Sequence, residues 1–94
     1  MSVDLSRRFA LSRHADLKTR GGEPILVLPE RALRVGGSGG EMLELFRVPR
    51  SGLEIVRELA KRYPETPGLE AEVAAFLREM IDLGGISCEN DQGE

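Results

Sequence analysis

The sequence predicts an α+β domain in which a small N-terminal antiparallel sheet of two or three strands precedes a three-helix bundle. Three observations support this prediction: short apolar runs bounded by turn signals occupy residues 15–35, apolar residues recur at helical spacing after residue 41, and glycines or prolines separate the segments. The chain has 94 residues, 40% of them apolar, which is enough for one domain with a modest aliphatic core.

Three short segments form the predicted sheet. Residues 15–20 alternate weakly and make a marginal strand, and the two glycines at 21 and 22 supply the positive φ angles of a tight turn. Residues 25–28 (ILVL) are wholly apolar, which is typical of a buried strand, and a further strand (ALRV, residues 32–35) follows the break at Pro29. We expect Ile25 and Leu33 to face the core and Arg34 to face solvent.

The first helix is predicted to start late, near Glu41, and to end at Pro49. Residues 36–40 (GGSGG) precede it. Because glycine costs roughly 1 kcal/mol in a helix interior, we interpret this stretch as a flexible connection in which Ser38 is the only side-chain cap.

The second helix has a clear beginning and end. Ser51 followed by Glu54 makes a capping box, and Pro64 stops the helix. The third helix is capped by Thr66 or Gly68, and its apolar residues at 69, 73, 76, 77, 80 and 81 share one face before a glycine pair at 84 and 85. These bounds predict an N-terminal tail (residues 1–14), a folded domain (15–86) and a disordered C-terminal tail (87–94).

The chemistry-bearing residues do not predict an enzyme, a cofactor or a metal site. His14 is the single histidine, Cys88 is the single cysteine and lies among acidic residues, and no cluster has metal-ligand spacing. The GGSGG stretch lacks the Lys-Ser/Thr ending of a phosphate loop and is followed by the anionic Glu41.

Nucleic acid and membrane are also unfavourable partners. A sheet beside three helices is the winged helix-turn-helix arrangement, in which one helix commonly enters DNA. Here the third helix carries four acidic residues and one arginine, and the formal net charge is −3. No apolar run approaches the roughly 18 residues of a membrane span, the N-terminus lacks a secretory signal, and a single cysteine fits a reducing cytoplasm.

Peptide binding is the function that the strand pattern favours. A sheet this small has open edges, and an extended peptide can add a strand to residues 31–35 while the third helix walls the other side. The order of three stretches then resembles the pyrroloquinoline quinone biosynthesis chaperone family, PqqD: ILVLPERALRV, SGLEIVRELAKRYP and LEAEVAAFLREMIDLGGI. The similarity spans roughly residues 15–86; GGSGG departs from the family's pattern, which leaves a true PqqD and a sister such as the mycofactocin chaperone both open.

The resemblance implies a RiPP recognition element, a winged-helix domain that binds the leader of a ribosomally made precursor peptide and presents it to a radical S-adenosylmethionine (SAM) enzyme. It implies no cofactor, and a homodimer stays open because a strand edge can pair with a second copy. The implied peptide-binding residues are Arg31, Ala32, Leu33, Arg34 and Val35 on the strand and Glu72, Ala75, Phe76 and Glu79 on the third helix.

Two other functions remain as alternatives. A winged-helix DNA-binding regulator would show salt-sensitive DNA binding, which the acidic third helix opposes. An enzyme-docking module without a peptide ligand is not opposed by any residue of the sequence.

Overall fold

The computed structural model describes residues 3–89, which form six strands and three helices. In chain order they are β1 (Arg8–Leu11), β2 (Asp16–Arg20), β3 (Glu23–Val27), β4 (Ala32–Arg34), α1 (Gly37–Leu45), β5 (Arg50–Ser51), α2 (Gly52–Arg62), α3 (Leu69–Leu83) and β6 (Ile86–Glu89). The described fold is therefore mixed α and β, with small antiparallel sheets and three helices.

The predicted sheet is present as the antiparallel sheet β2-β3-β4, called here the ribbon sheet. Gly21 and Gly22 join β2 to β3 with φ angles of 57° and 83°, which confirms the predicted turn. Leu17, Leu26 and Leu33 lie opposite one another on the face that covers the core, and Leu26 is fully buried. The prediction for Ile25 is wrong: it pairs with Arg34 on the opposite, outer face, because neighbouring residues of a strand point to opposite sides.

A second antiparallel sheet, β5-β1-β6, was not predicted and is called here the closing sheet. Phe9 on β1 pairs with Arg50 on one side and Cys88 on the other. Its buried ring meets Phe46, the residue that follows α1, edge to face, with ring centroids 6.4 Å apart. Residues 8–11 of the predicted N-terminal tail and residues 87–89 of the predicted C-terminal tail thus lie in strands, while residues 1–2 and 90–94 of those tails lie outside the described range.

The predicted ends of α2 and α3 are confirmed. The Glu54 amide donates to Ser51 Oγ (3.1 Å) and the Ser51 amide donates to a Glu54 carboxylate oxygen (2.7 Å), which completes the capping box. Gly68 precedes α3 and Gly84 follows it, both with left-handed φ angles.

The predicted start of α1 is wrong, because the helix begins at Gly37 rather than near Glu41. Ser38 makes no side-chain cap, and the stretch interpreted as a flexible connection forms the first turn of the helix. A Cβ at residue 40 would lie 2.6 Å from Pro24 Cγ and 2.8 Å from the Val35 carbonyl oxygen. The glycines therefore let α1 pack directly on the ribbon sheet, which offsets their low helix propensity.

The helices and both sheets share one apolar core. The residues at its centre are Leu26, Leu43, Phe46, Ile55, Leu59, Val73, Leu77 and Ile86.

Candidate functional site

The outer edge of β4 is open. Antiparallel strands alternate between hydrogen-bonded and non-bonded pairs. The Leu28 amide donates to the Arg31 carbonyl (2.7 Å) and the Val35 amide to the Pro24 carbonyl (3.0 Å), which fixes the phase of the alternation. Ala32 and Arg34 therefore turn their N–H and C=O groups away from β3, and within residues 3–89 no strand pairs with that side.

The other edge of the same sheet, on β2, is occupied by a side chain. Arg47 Nη2 donates to the outward-facing Leu17 carbonyl at 2.9 Å, and Arg47 Nε donates to Glu44 Oε1 at 2.8 Å. This hydrogen bond holds the pKa of Glu44 below its ordinary value and raises the pKa of Arg47. The guanidinium of Arg47 thus links α1 to the backbone of β2.

One flank of α3 lies beside the end of β4. Phe76 is half-buried, next to the core face of the helix. Its Cε1 atom and Val35 Cγ1 come within 3.1 Å and 2.9 Å of the position that a Cβ at Gly39 would take, so these three residues meet. Glu72 and Glu79 are exposed on the same flank, one turn to either side of Phe76.

We call the space between β4 and this flank the β4–α3 groove. Two cavities lie beyond its two ends, and neither is lined by residues 32–34 of β4 or by Phe76. One, of about 310 Å³, lies where Ser38 and Glu41 of α1 approach Glu72. The other, of about 260 Å³, lies where Arg31 and the β3–β4 turn approach Leu83. The chain from β4 into α1 therefore runs antiparallel to α3.

The first cavity has a structured polar wall. The Tyr63 hydroxyl lies 2.8 Å from both carboxylate oxygens of Glu41, and Arg62 Nη1 lies 3.9 Å from Glu41 Oε2. The hydrogen bond to Glu41, helped by partial burial, raises the pKa of Tyr63, so the phenol stays protonated and can donate.

The predicted site residues divide into three groups. Arg31, Ala32 and Arg34 are exposed on the edge, whereas Leu33 and Val35 point into the protein and can offer only backbone atoms to a ligand. Phe76, Glu72 and Glu79 line the groove flank. The remaining residue, Ala75, is exposed about 100° around the helix from Phe76, so it is not brought together with that ring.

Sequence reasoning missed Arg47, Leu83 and the close approach of Gly39. Arg47 carried no local signal, because its acceptor lies on a strand 30 residues away. The spacing of Leu83 from Phe76, seven residues, does place both on one helix flank and could have identified Leu83.

Within residues 3–89 no group of three His, Cys, Asp or Glu side chains could hold a metal ion. No helix in the same range is long and apolar enough to cross a membrane.

Comparison with known proteins gives consistent matches. The family model "Coenzyme PQQ synthesis protein D (PqqD)" matches residues 23–86, which include β3, β4 and all three helices. The chain is 38% identical over 53 residues to a "PqqA binding protein" of Pseudomonas aeruginosa (strain UCBPP-PA14), a match covering 56% of this chain and 58% of that protein. It is 31% identical over 77 residues to "PqqA binding protein 2" of Pseudomonas putida (strain KT2440), covering 80% and 86%.

The chain thus spans less than two thirds of the first of these relatives and most of the second. No solved structure gives a significant match.

Proposed function

Since the chain belongs to the PqqD family, we propose that it is a non-catalytic chaperone that binds the leader segment of a ribosomally made precursor peptide. Both relatives named above are described as binding PqqA, which supports a peptide as the ligand. The binding surface lies wholly within residues 15–86, the range that the sequence predicts as the peptide-binding domain.

The open edge of β4 is the single observation that carries the proposal. The leader adds as a fourth strand to the ribbon sheet, and the outward N–H and C=O groups of Ala32 and Arg34 supply its backbone hydrogen bonds. Strand addition satisfies polar groups that are otherwise left to water, without any change in the β3–β4 pairing.

The α3 flank supplies the second wall. Phe76 offers an apolar surface at the middle of the β4–α3 groove, and the two end cavities give room for peptide side chains. Alternate residues of the added strand face this wall, so the wall contributes specificity whereas the strand edge contributes affinity.

Charge on the strand favours an acidic leader. Arg31 and Arg34 are both exposed, and the contact of Arg34 with Glu23 is long (3.7 Å) and largely solvated. Such a surface pair is worth little and can be exchanged for a carboxylate of the peptide. Arg34→Glu should weaken binding, and a lysine at the facing leader position should restore it; failure of that rescue would remove the electrostatic part of the proposal.

We further propose that the domain is of the winged-helix type and works in the cytoplasm. It would present the bound leader to a radical SAM enzyme, which modifies the core of the precursor. These statements rest on the family resemblance and on the placement of the ribbon sheet beside three helices.

Amide hydrogen exchange followed by NMR tests strand addition residue by residue. The probe is the N-terminal peptide of a short open reading frame beside the gene. On binding, the amides of Ala32 and Arg34 should become protected, whereas the Leu33 amide, already bonded to β3, should change little. Protection of amides on other strands only would contradict strand addition at β4. No protection with this peptide, together with binding of the protein to the enzyme, would contradict the proposal and favour an enzyme-docking module.

A further inference from the structure

The outer face of the ribbon sheet has an apolar centre. Ile25 and Val27, on the central strand, are half-buried on the side opposite the core. In an antiparallel sheet with one face on the core, the other face is ordinarily polar. These two side chains form the floor of an open concavity of about 520 Å³, whose lining is Lys18, Arg20, Ile25, Val27, Ala32 and Arg34.

Cations surround that floor. Lys18 contacts Asp16 at 3.8 Å and Arg34 contacts Glu23 at 3.7 Å, and all four side chains are more than 60% exposed, so these pairs are weak and either cation can exchange its partner for another carboxylate. Among the described residues no ion pair involves Arg20. The outer face of this protein of net charge −3 thus carries three cations and two carboxylates, a local excess of one positive charge around the apolar patch.

We propose that this outer face docks an acidic surface patch of the enzyme that modifies the bound peptide, with an apolar side chain of that patch seated on Ile25 and Val27. The proposal rests on the proposed function and specifies the partner's binding face. Three cations around an apolar centre are complementary to a carboxylate-rimmed apolar residue, which gives both orientation and contact area.

The position of the face fits a partner that must reach the peptide. Ala32 and Arg34 line the outer concavity and also carry the open backbone edge of β4. A strand added to β4 would extend the sheet, and every second peptide side chain would then join the same outer face. A partner seated there would contact chaperone and peptide side by side.

Charge reversal on β2 separates this face from the peptide site. The test variant is Lys18→Glu/Arg20→Glu, and the matched control is Arg57→Glu/Lys61→Glu on the exposed side of α2, which makes the same change in net charge. Peptide affinity is measured by fluorescence anisotropy with the labelled leader. Affinity for the purified radical SAM enzyme is measured by bio-layer interferometry. Each measurement is made with and without the leader, at low and at high salt.

We expect the β2 variant to bind the leader within about twofold of wild type and the enzyme at least about tenfold more weakly at low salt, with the control unchanged. Ile25→Ala should also weaken enzyme binding, and that loss should persist in high salt because no charge is altered.

Two outcomes would overturn the docking proposal and leave leader binding intact. In the first, both the β2 variant and Ile25→Ala bind the enzyme as tightly as wild type; in the second, the wild-type protein binds the leader but not the enzyme. Wild-type protein that binds no leader would instead contradict the proposed function. Self-association is measured by size-exclusion chromatography. If the β2 variant self-associates less than wild type but still binds the enzyme, the outer face binds a second copy of the protein, and the proposal is overturned.

Discussion

Strands β2 and β4 border the same three-stranded sheet, but their outer edges have different neighbours. On β2, the outward Leu17 carbonyl accepts a hydrogen bond from Arg47, which also holds Glu44. On β4, the outward groups of Ala32 and Arg34 meet no strand within residues 3–89, and α3 stands beyond them with Phe76 on its near flank.

The difference shows how a small sheet can offer one edge while withholding the other. An exposed strand edge invites pairing with any extended chain, including a second copy of the protein. The guanidinium of Arg47, two residues after α1, donates a hydrogen bond to one carbonyl of β2 and places a positive charge at that edge. In the proposed function, this would direct strand addition to β4, where the flank of α3 contacts the side chains of the added peptide.

Truncation of a buried side chain on the central strand, β3, should have the largest effect on stability. Leu26 is fully buried at the centre of the ribbon sheet, so Leu26→Ala should lower the free energy of unfolding by about 2–5 kcal/mol through lost burial and an unfilled cavity. Urea denaturation measures the change. Val27→Ala, on the outer face of the same strand, is the control, and an equal loss there would contradict the assignment of faces.

Proline substitution distinguishes the two edges directly. Ala32→Pro removes an outward N–H from β4, and Thr19→Pro removes one from β2; neither amide takes part in the pairing with β3. The loss of one backbone hydrogen bond should weaken leader binding about five- to tenfold for Ala32→Pro and leave Thr19→Pro near wild type. Isothermal titration calorimetry gives both affinities, and equal losses would show that β4 is not the selected edge.

Removal of the Arg47 guanidinium should make the β2 edge resemble the β4 edge. Arg47→Met keeps the apolar stem but leaves the Leu17 carbonyl without its donor, so the free energy of unfolding should fall by about 1 kcal/mol. Self-association, measured by sedimentation at high protein concentration, should increase. Leader affinity should stay unchanged, and a large loss of affinity would mean that Arg47 acts on the binding edge instead.

Low pH should slightly lower the stability that the Glu44–Arg47 pair contributes beside β2. The pKa of Glu44 is lowered in the folded protein by its bond to Arg47, so the unfolded chain takes up a proton first as the pH falls. The stabilising contribution of the Glu44–Arg47 pair is fully present above the ordinary glutamate pKa and is lost as the pH falls through the lowered pKa of Glu44 in the folded protein. Between about pH 6 and pH 3, wild type should therefore lose more stability than Glu44→Gln, measured by urea denaturation at each pH; a steeper loss in the variant would contradict the assignment.

The sequence by itself determined the parts of the protein whose signals are local. The glycine pair at 21 and 22, the Ser51–Glu54 capping box and the glycines at 68 and 84 fixed one hairpin and the ends of two helices, because each acts on backbone within a few residues. The order of these elements also indicated the PqqD family, whose model matches residues 23–86.

Tertiary structure decided the features that join distant residues. Phe9 pairs with Cys88, which is 79 residues away in the sequence, so no local pattern could predict that β1 and β6 pair in the closing sheet. The early start of α1 depends on the tight fit of Gly40 against Pro24, which is invisible in a helix propensity. Candidate strand and helix residues could be named from the sequence, but which sheet edge stays open depends on a side chain that reaches it from another element, and that contact exists only in the folded chain.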